Sequence, residues 1–272
     1  MDASLAAALE LDRQLRLRAA PEVHAIAGGF VVRDRALADV YHLNAVLLAG
    51  ALAPDTGADE IETMAEHWLS DCGHRQVVID DAPAAEELAP ALAERGWDRT
   101  RKVFMVLTTD PAQAVADPRA REVSEPELEE VQLANTRIGY PARAFSPDLP
   151  AHLVAAQAAL RTGTAAKAFG AGDDDGLQSS CTLFLDPEGL GGRVAMVEEV
   201  ATLPEYRERG LARAAVGAAV RAAGEWEADL IVIPADADDW PQLMYAKLGF
   251  APIGRQVGFT RRPPRGSVSG AV

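Results

Sequence analysis

Between residues 120 and 260 the apolar positions change period several times. At 125–138 and 149–160 they recur every three to four residues, which predicts two helices. Residues 165–170 and 178–185 carry apolar runs of strand length, joined by GAGDDDG. Its three aspartates are adjacent, whereas a calcium loop needs alternating ligands, so a hairpin turn is expected there. RVAMVEEVATL at 193–203 reads as a half-buried strand, and 210–223 as an alanine-rich helix. LIVIPA at 230–235 is a short buried strand; a helix at 239–248 and a final strand or strand pair at 251–260 complete the series. Strands cluster early and alternate with helices late, which predicts a mixed α+β arrangement with helices packed on a sheet.

The first half carries a related order. Residues 77–107 run strand, acidic turn, helix, Gly-aromatic, strand, and residues 231–260 do the same. Superposing Gly96-Trp97 on Gly249-Phe250 gives a constant offset of 153 residues, with Val78 falling on Ile231. Shared order and shared punctuation predict a duplicated fold. The stretch 108–121, TTDPAQAVADPRAR, has two prolines, many small residues and no apolar period, and so reads as a linker. The tail RPPRGSVSGAV has nothing to bury and is expected to be disordered. These signals divide the chain into an N-terminal domain at 1–112, a linker at 113–120, a second domain at 121–261 and a tail at 262–272.

Composition narrows the function classes. The chain has 272 residues, 49% of them hydrophobic, enough for two cores. Its formal charge of −15 would repel the phosphates of nucleic acids and anionic membranes, so neither is an expected partner; it would draw in a cationic substrate, or serve solubility alone. Two cysteines, Cys72 and Cys181, make no disulfide framework and are expected buried and reduced. The five histidines have no metal-ligand spacing, so no metal site is expected. Charges interleave with apolar residues in MDASLAAALELDRQLRLRAA, which lacks the order of a signal peptide. A cytoplasmic protein is expected.

The chemistry concentrates in VEEVATLPEYRERGLARAAVGAAV. A strand runs into a proline turn, then Arg207-Glu208-Arg209-Gly210-Leu211-Ala212, then a helix. A helix start points several N–H groups one way, with a dipole that favours anions. Gly210 removes a Cβ where a diphosphate would come close, and Ala212 keeps the next contact small. This stretch resembles motif A of the GNAT superfamily of N-acetyltransferases, Q/R-x-x-G-x-G/A, with Arg207, Gly210 and Ala212 at the motif positions. Downstream, Asp238 through Phe250, DDWPQLMYAKLGF, is similar to the family's N-x-x-A-x-x-L-Y-x-K-L-G-F segment. The resemblance covers 120–260 well and 23–108 faintly.

The resemblance implies a tandem of two GNAT-like domains, each a mixed, mostly antiparallel sheet flanked by helices, with acetyl-CoA as cosubstrate of the second. Val200, Ala201 and Thr202 would pair with the pantetheine, and one N–H there would polarise the thioester carbonyl. Amides of Arg209, Gly210, Leu211, Ala212 and Arg213 would hold the diphosphate, with Arg207 and Arg209 adding positive charge at its mouth and Glu208 in the same cofactor-binding loop. Tyr245 would be the general acid that protonates the departing thiol. Asp238, where the family often has asparagine, would touch the cofactor or sit in a helix cap. For the base, Glu198 and Glu199 are neighbours on one strand and are expected to face opposite sides. Glu198, in step with Met196 and Val200, is the one expected in the cleft.

The implied activity is transfer of acetyl to an amine of a small molecule or protein by direct attack; a non-catalytic acyl-CoA sensor is the alternative. The first half lacks this machinery. Around LLAGALAPDTGADEIETMAEHWL there is no motif A, Asp55, Asp59, Glu60 and Glu62 crowd the helix start, and Leu92 stands at the tyrosine position. That half is expected to wall the acceptor cleft or to pair two copies as a homodimer.

Overall fold

The computed structural model describes residues 2–142, 145–173 and 176–262. The chain opens with helix α1 (Ala3–Ala19), strands β1 (Glu22–Ile26), β2 (Gly29–Arg33) and β3 (Ala45–Leu48), and helix α2 (Ala58–Leu69). Then come β4 (Arg75–Ile79), α3 (Ala82–Glu94), β5 (Asp98–Leu107) and β6 (Ala120–Glu122). Two helices, α4 (Glu125–Gly139) and α5 (Leu149–Thr162), precede β7 (Ala165–Asp173), β8 (Gly176–Asp186) and β9 (Val194–Thr202). Helix α6 (Leu211–Glu225), β10 (Leu230–Asp236), α7 (Pro241–Lys247) and β11 (Phe250–Arg261) follow. The predicted elements of the second half are all present, within a few residues at their ends.

The duplication is visible in the elements. Shifting β4, α3 and β5 by 153 residues lays them on β10, α7 and β11, and Gly96 and Gly249 both have positive φ, 80° and 93°. A Cβ at Gly249 would stand 2.6 Å from Thr109 Oγ1, so the glycine is required there by space as well as by φ.

The compact units do not follow the linear boundaries expected at 112 and 121. One unit comprises α1 with residues 102–254; the other comprises residues 20–101 with residues 255–262. The reason is burial. The residues of α1 that pack inward, Leu9, Leu11 and Leu15, join Phe104, Phe184, Val194, Met196 and Val232 in one cluster of the first unit. Val257 and Phe259 of β11 belong instead to the core with Val77, Ile79, Leu92 and Trp97. The predicted tail lies outside the described residues from 263 onward, as do Asp174 and Asp175 of the expected hairpin turn.

In the first unit the strand order is β5-β10-β9-β8-β7-β6, with β10 and β9 parallel and the other neighbours antiparallel. Alternation along β9 sends Ala195 and Val197 to the α6 core and Val194 and Met196 to the α1 core. Ser124 caps α4, and Glu127 accepts from both the Ser124 amide (2.9 Å) and its hydroxyl (2.6 Å). In the second unit β1-β2-β3-β4 are joined by the end of β11, with β3 and β4 parallel.

Helix α2 begins at Gly57, whose amide donates to Glu60 Oε2 at 3.0 Å, while Asp59 and Glu62 pair with Arg95. Its own carboxylates occupy that helix start, as the acidic sequence there predicts. Leu92 is fully buried. Among the described residues no helix is long and apolar enough to cross a membrane.

Candidate active site

The site lies within the first unit, where β9 and β10 part. Their parallel ladder runs over Leu230–Val232 against Val194–Met196. Beyond it β10 keeps its partner β5 through Asp236, and β9 keeps its partner β8 through Thr202. The facing edges from Val197 and Ile233 onward therefore diverge. Such a gap leaves backbone groups on one edge that can pair with an extended ligand, in the manner of an added strand.

A bulge in β9 shapes the gap. Ser180 pairs with Ala201 and Thr182 with Glu198, so Glu199 and Val200 together oppose Cys181. Glu199 takes up the extra residue with φ 58°. The bulge resets the alternation: Val200 packs on the α6 core as Val197 does, and Glu199 turns to the face that Glu198 already holds. The expectation that the two glutamates face opposite sides is thus corrected. Strict period-two counting fails at a bulge, because one residue is inserted without a partner.

Each glutamate has its own surroundings. Glu198 lies 3.5 Å from Lys102 Nζ, which holds buried Asp12 at 2.8 Å, and Arg16 closes on Asp12 at 3.0 Å. Glu199 accepts on Oε2 from Thr182 Oγ1 at 2.7 Å, Arg161 Nη1 at 3.1 Å and Gln132 Nε2 at 3.1 Å. Its Oε1 is buried and has no hydrogen-bond partner. Burial pushes both carboxyls above the usual carboxylate range, opposed chiefly by Lys102 for Glu198 and by Arg161 for Glu199. Proton affinity is raised on both, as a base working near neutrality requires.

Tyr245, on α7, is 4% exposed and packs edge-on to Phe250, with ring centroids 6.4 Å apart. Burial raises its phenol pKa, and the charge of Glu198 and the Cys181 thiol push it the same way. It is held neutral, with its proton. Cys181 is fully buried and its thiol is also pushed up by burial, so it is no nucleophile at neutral pH.

The loop after β9 turns through two left-handed residues, Glu208 (φ 65°) and Gly210 (φ 79°). Gly210 is the N-cap of α6, and the first helical bond runs from the Ala214 amide to the Gly210 carbonyl at 3.0 Å. The amides of Leu211, Ala212 and Arg213 thus precede the helix's own ladder. A Cβ on Gly210 would meet Arg213 Nη2 at 3.2 Å, with Arg119 Nη2 3.8 Å away. This is a cradle that a side chain would fill, and its charge and the amides ahead of the helix ladder fit a diphosphate.

Side chains around it are arranged otherwise than the sequence predicts. Arg207 hooks back to the Thr202 carbonyl at 3.3 Å, and Arg209 reaches the Glu205 carbonyl at 3.1 Å and covers the Tyr206 ring. The guanidiniums at the mouth are those of Arg213 and Arg119. Arg119 bonds the Arg209 carbonyl at 3.1 Å. Sequence reasoning missed it because it sits in the segment read as a linker. That segment contains a turn at Pro111–Gln113 and strand β6, and it lies along α6 where Gly217 and Gly224 leave room. Between them is a cavity of about 310 Å³, lined by Leu107, Arg119, Gly210, Arg213, Gly217 and Lys247 among others.

The remaining predicted residues fall as follows. Of the three pantetheine positions, the Ala201 carbonyl takes the Ser179 hydroxyl at 2.8 Å and the Thr202 carbonyl takes Arg207, while Val200 is at the bulge. Leu211 is buried in the α6 core. Asp238 is exposed and is not the helix cap: α7 starts at Pro241 with Trp240 as N-cap, and Asp239 accepts the Trp240 amide at 2.7 Å. Proline, which has no N–H to bond, fixes that start.

Residues 136–250 match the family model described as Acetyltransferase (GNAT) family. No curated protein matches the chain. Among solved structures, the chain is similar to a functionally unknown conserved protein from Staphylococcus epidermidis at 12% identity and a TM-score of 0.70, covering 90% of this chain and 95% of that one. A GCN5-related N-acetyltransferase from Kribbella flavida is 20% identical with a TM-score of 0.57, covering 97% of each chain. A tandem GNAT protein from the clavulanic acid biosynthesis pathway is 16% identical with a TM-score of 0.50, covering 97% and 98%.

Proposed function

We propose, from the match of residues 136–250 to the GNAT acetyltransferase family model, that the chain transfers acetyl from acetyl-CoA directly to an amine. The observation that carries this reading is the opening between β9 and β10. It is flanked by an amide cradle at Gly210, a neutral phenol at Tyr245 and two carboxylates of raised proton affinity. When bound, acetyl-CoA supplies an acyl thioester open to attack.

The chain's residues divide the remaining work. Amides at 211–213, with Arg213 and Arg119 beside them, bind the diphosphate end. Backbone groups at Val200 orient the reacting carbonyl and supply an N–H toward its oxygen. Glu199 or Glu198 takes the proton that the ammonium form of the acceptor must lose before attack. Tyr245 gives its hydroxyl proton to the leaving sulfur. The buried thiol of Cys181 supports attack without an acyl-enzyme. Initial velocities with both substrates varied are expected to intersect, as a ternary complex requires; parallel lines would point to a covalent intermediate and overturn direct attack.

The test is release of the CoA thiol from acetyl-CoA over a panel of cationic amines. Turnover with at least one amine is expected, with Gly210→Glu weakening acetyl-CoA binding at least ~10-fold by placing a carboxylate in the cradle. Thermal stabilisation by acetyl-CoA without turnover on any amine would favour a binding module instead.

A further inference from the structure

We propose that Arg161 is a positioning residue for this reaction: it grips one oxygen of Glu199 so that the other stays free to receive the proton of the acceptor amine. The proposal rests on the reading of the site as an amine acetyltransferase and goes beyond it by assigning the base and the device that orients it.

Arg161 is anchored before it reaches the glutamate. Its Nε and Nη2 hold Glu125 Oε1 at 2.8 and 2.5 Å, and Nη1 points to Glu199 Oε2 at 3.1 Å. The guanidinium thereby ties the C-terminal end of α5 to the first residue of α4 and to the bulge of β9. The side chains are 6% exposed for Arg161 and 9% for Glu199, so the contact is sheltered from water and salt. Thr182 and Gln132 add their donors to the same Oε2. Three donors on one oxygen fix the carboxylate plane, while Oε1 is buried without a partner. An unpaired carboxylate oxygen is costly to bury, and an ammonium placed beside it would relieve that cost.

Glu198 is held less firmly, by Lys102 Nζ at 3.5 Å, whereas three donors fix one oxygen of Glu199 and so set which oxygen it presents. The groups facing Glu199 are Arg161 from α5, Gln132 from α4, Thr182 and Cys181 from β8, and Glu198 from β9. Arg161 is the one cation in that set. Its loss removes the main counterweight to burial, so the Glu199 carboxyl would hold its proton to higher pH.

The experiment is the pH profile of kcat/KM for the wild type, Arg161→Met, Arg161→Lys, Thr182→Val and Glu199→Gln. A ¹³C NMR titration of the Glu199 carboxyl, identified by its loss in Glu199→Gln, runs alongside without needing turnover. Arg161→Met is expected to move both the acid limb and the carboxyl titration up by about 1 pH unit, so that kcat/KM on the acid limb falls ~10-fold at a given pH. Arg161→Lys should recover part of the shift. Thr182→Val should move it the same way by less, and it serves if Arg161→Met does not fold. Glu199→Gln should abolish the limb.

If Glu199→Gln removes the limb while Arg161→Met and Thr182→Val leave it in place, the proposal fails and the acetyltransferase reading stands. If Glu199→Gln keeps the limb, Glu199 is not the base and the proposal falls likewise. If the wild type turns over no amine, the reading of the site itself fails and takes the proposal with it.

Discussion

Tyr245 and the two glutamates, the titratable groups assigned to proton transfer in the proposed reaction, differ in what holds them. The tyrosine is kept neutral by burial, so its value lies in the proton it carries. Tyr245→Phe keeps the ring packing against Phe250 and removes only the hydroxyl. Its kcat is expected to fall by roughly 10²–10³ with acetyl-CoA affinity nearly unchanged, measured by steady-state kinetics beside equilibrium binding. An equal loss in binding would mean that the phenol serves the cofactor and not the leaving group.

His74, in the other unit, shows the same physics without catalysis. It is 1% exposed, its Nε2 lies 3.1 Å from the Asn44 carbonyl, and burial lowers its pKa from 6.5 to about 4. A histidine whose folded pKa is depressed is stabilising above its unfolded value, and that stability is lost as pH falls from about 6.5 toward 4. The loss is expected to reach roughly 3 kcal/mol. Urea midpoints at pH 7 and pH 4.5 check it; the pH difference should shrink in His74→Gln.

At the scale of elements, the bulge in β9 and the left-handed start of α6 do the shaping. A left-handed residue with a Cβ costs roughly 1–2 kcal/mol, which Gly210 avoids and Glu208 bears. Gly210→Ala is therefore expected to lower the melting temperature by a few degrees and to weaken acetyl-CoA binding less than Gly210→Glu does. Calorimetry with and without acetyl-CoA separates the two effects. If both variants bind acetyl-CoA as tightly as the wild type, the cradle is not the diphosphate site. Helix positions, the strand series and the glycine before the α6 helix were legible because each follows from local periodicity or a local steric need. The facing of Glu199 was not, since a bulge depends on how β8 registers against β9. Arg119 was hidden for a related reason: its segment has no period, and its role comes from lying along α6.

For the whole molecule, the division into units changes what counts as a domain. A fragment of residues 121–261 would lack α1 and the strand from Lys102 to Leu107, both parts of the unit that holds the site. It would leave Met196, Phe184 and Val232 without the helix that covers them and Glu198 without Lys102. Such a fragment is expected to be insoluble or to melt without cooperativity, and circular dichroism on heating checks it. A fragment that folded and bound acetyl-CoA would show α1 to be dispensable.

By itself the sequence determined the order of elements, the offset of 153 residues between the halves, the motif at 207–212 and the loss of that motif in the first half. All of these are carried by neighbours in the chain, through periodicity, capping and glycine geometry. Only the tertiary structure decided that α1 belongs with residues 102–254, that both glutamates share one face, and that Arg161 and Arg119 come to the site. Those outcomes depend on contacts between residues far apart in sequence, where burial and register, and not local preference, choose the partner.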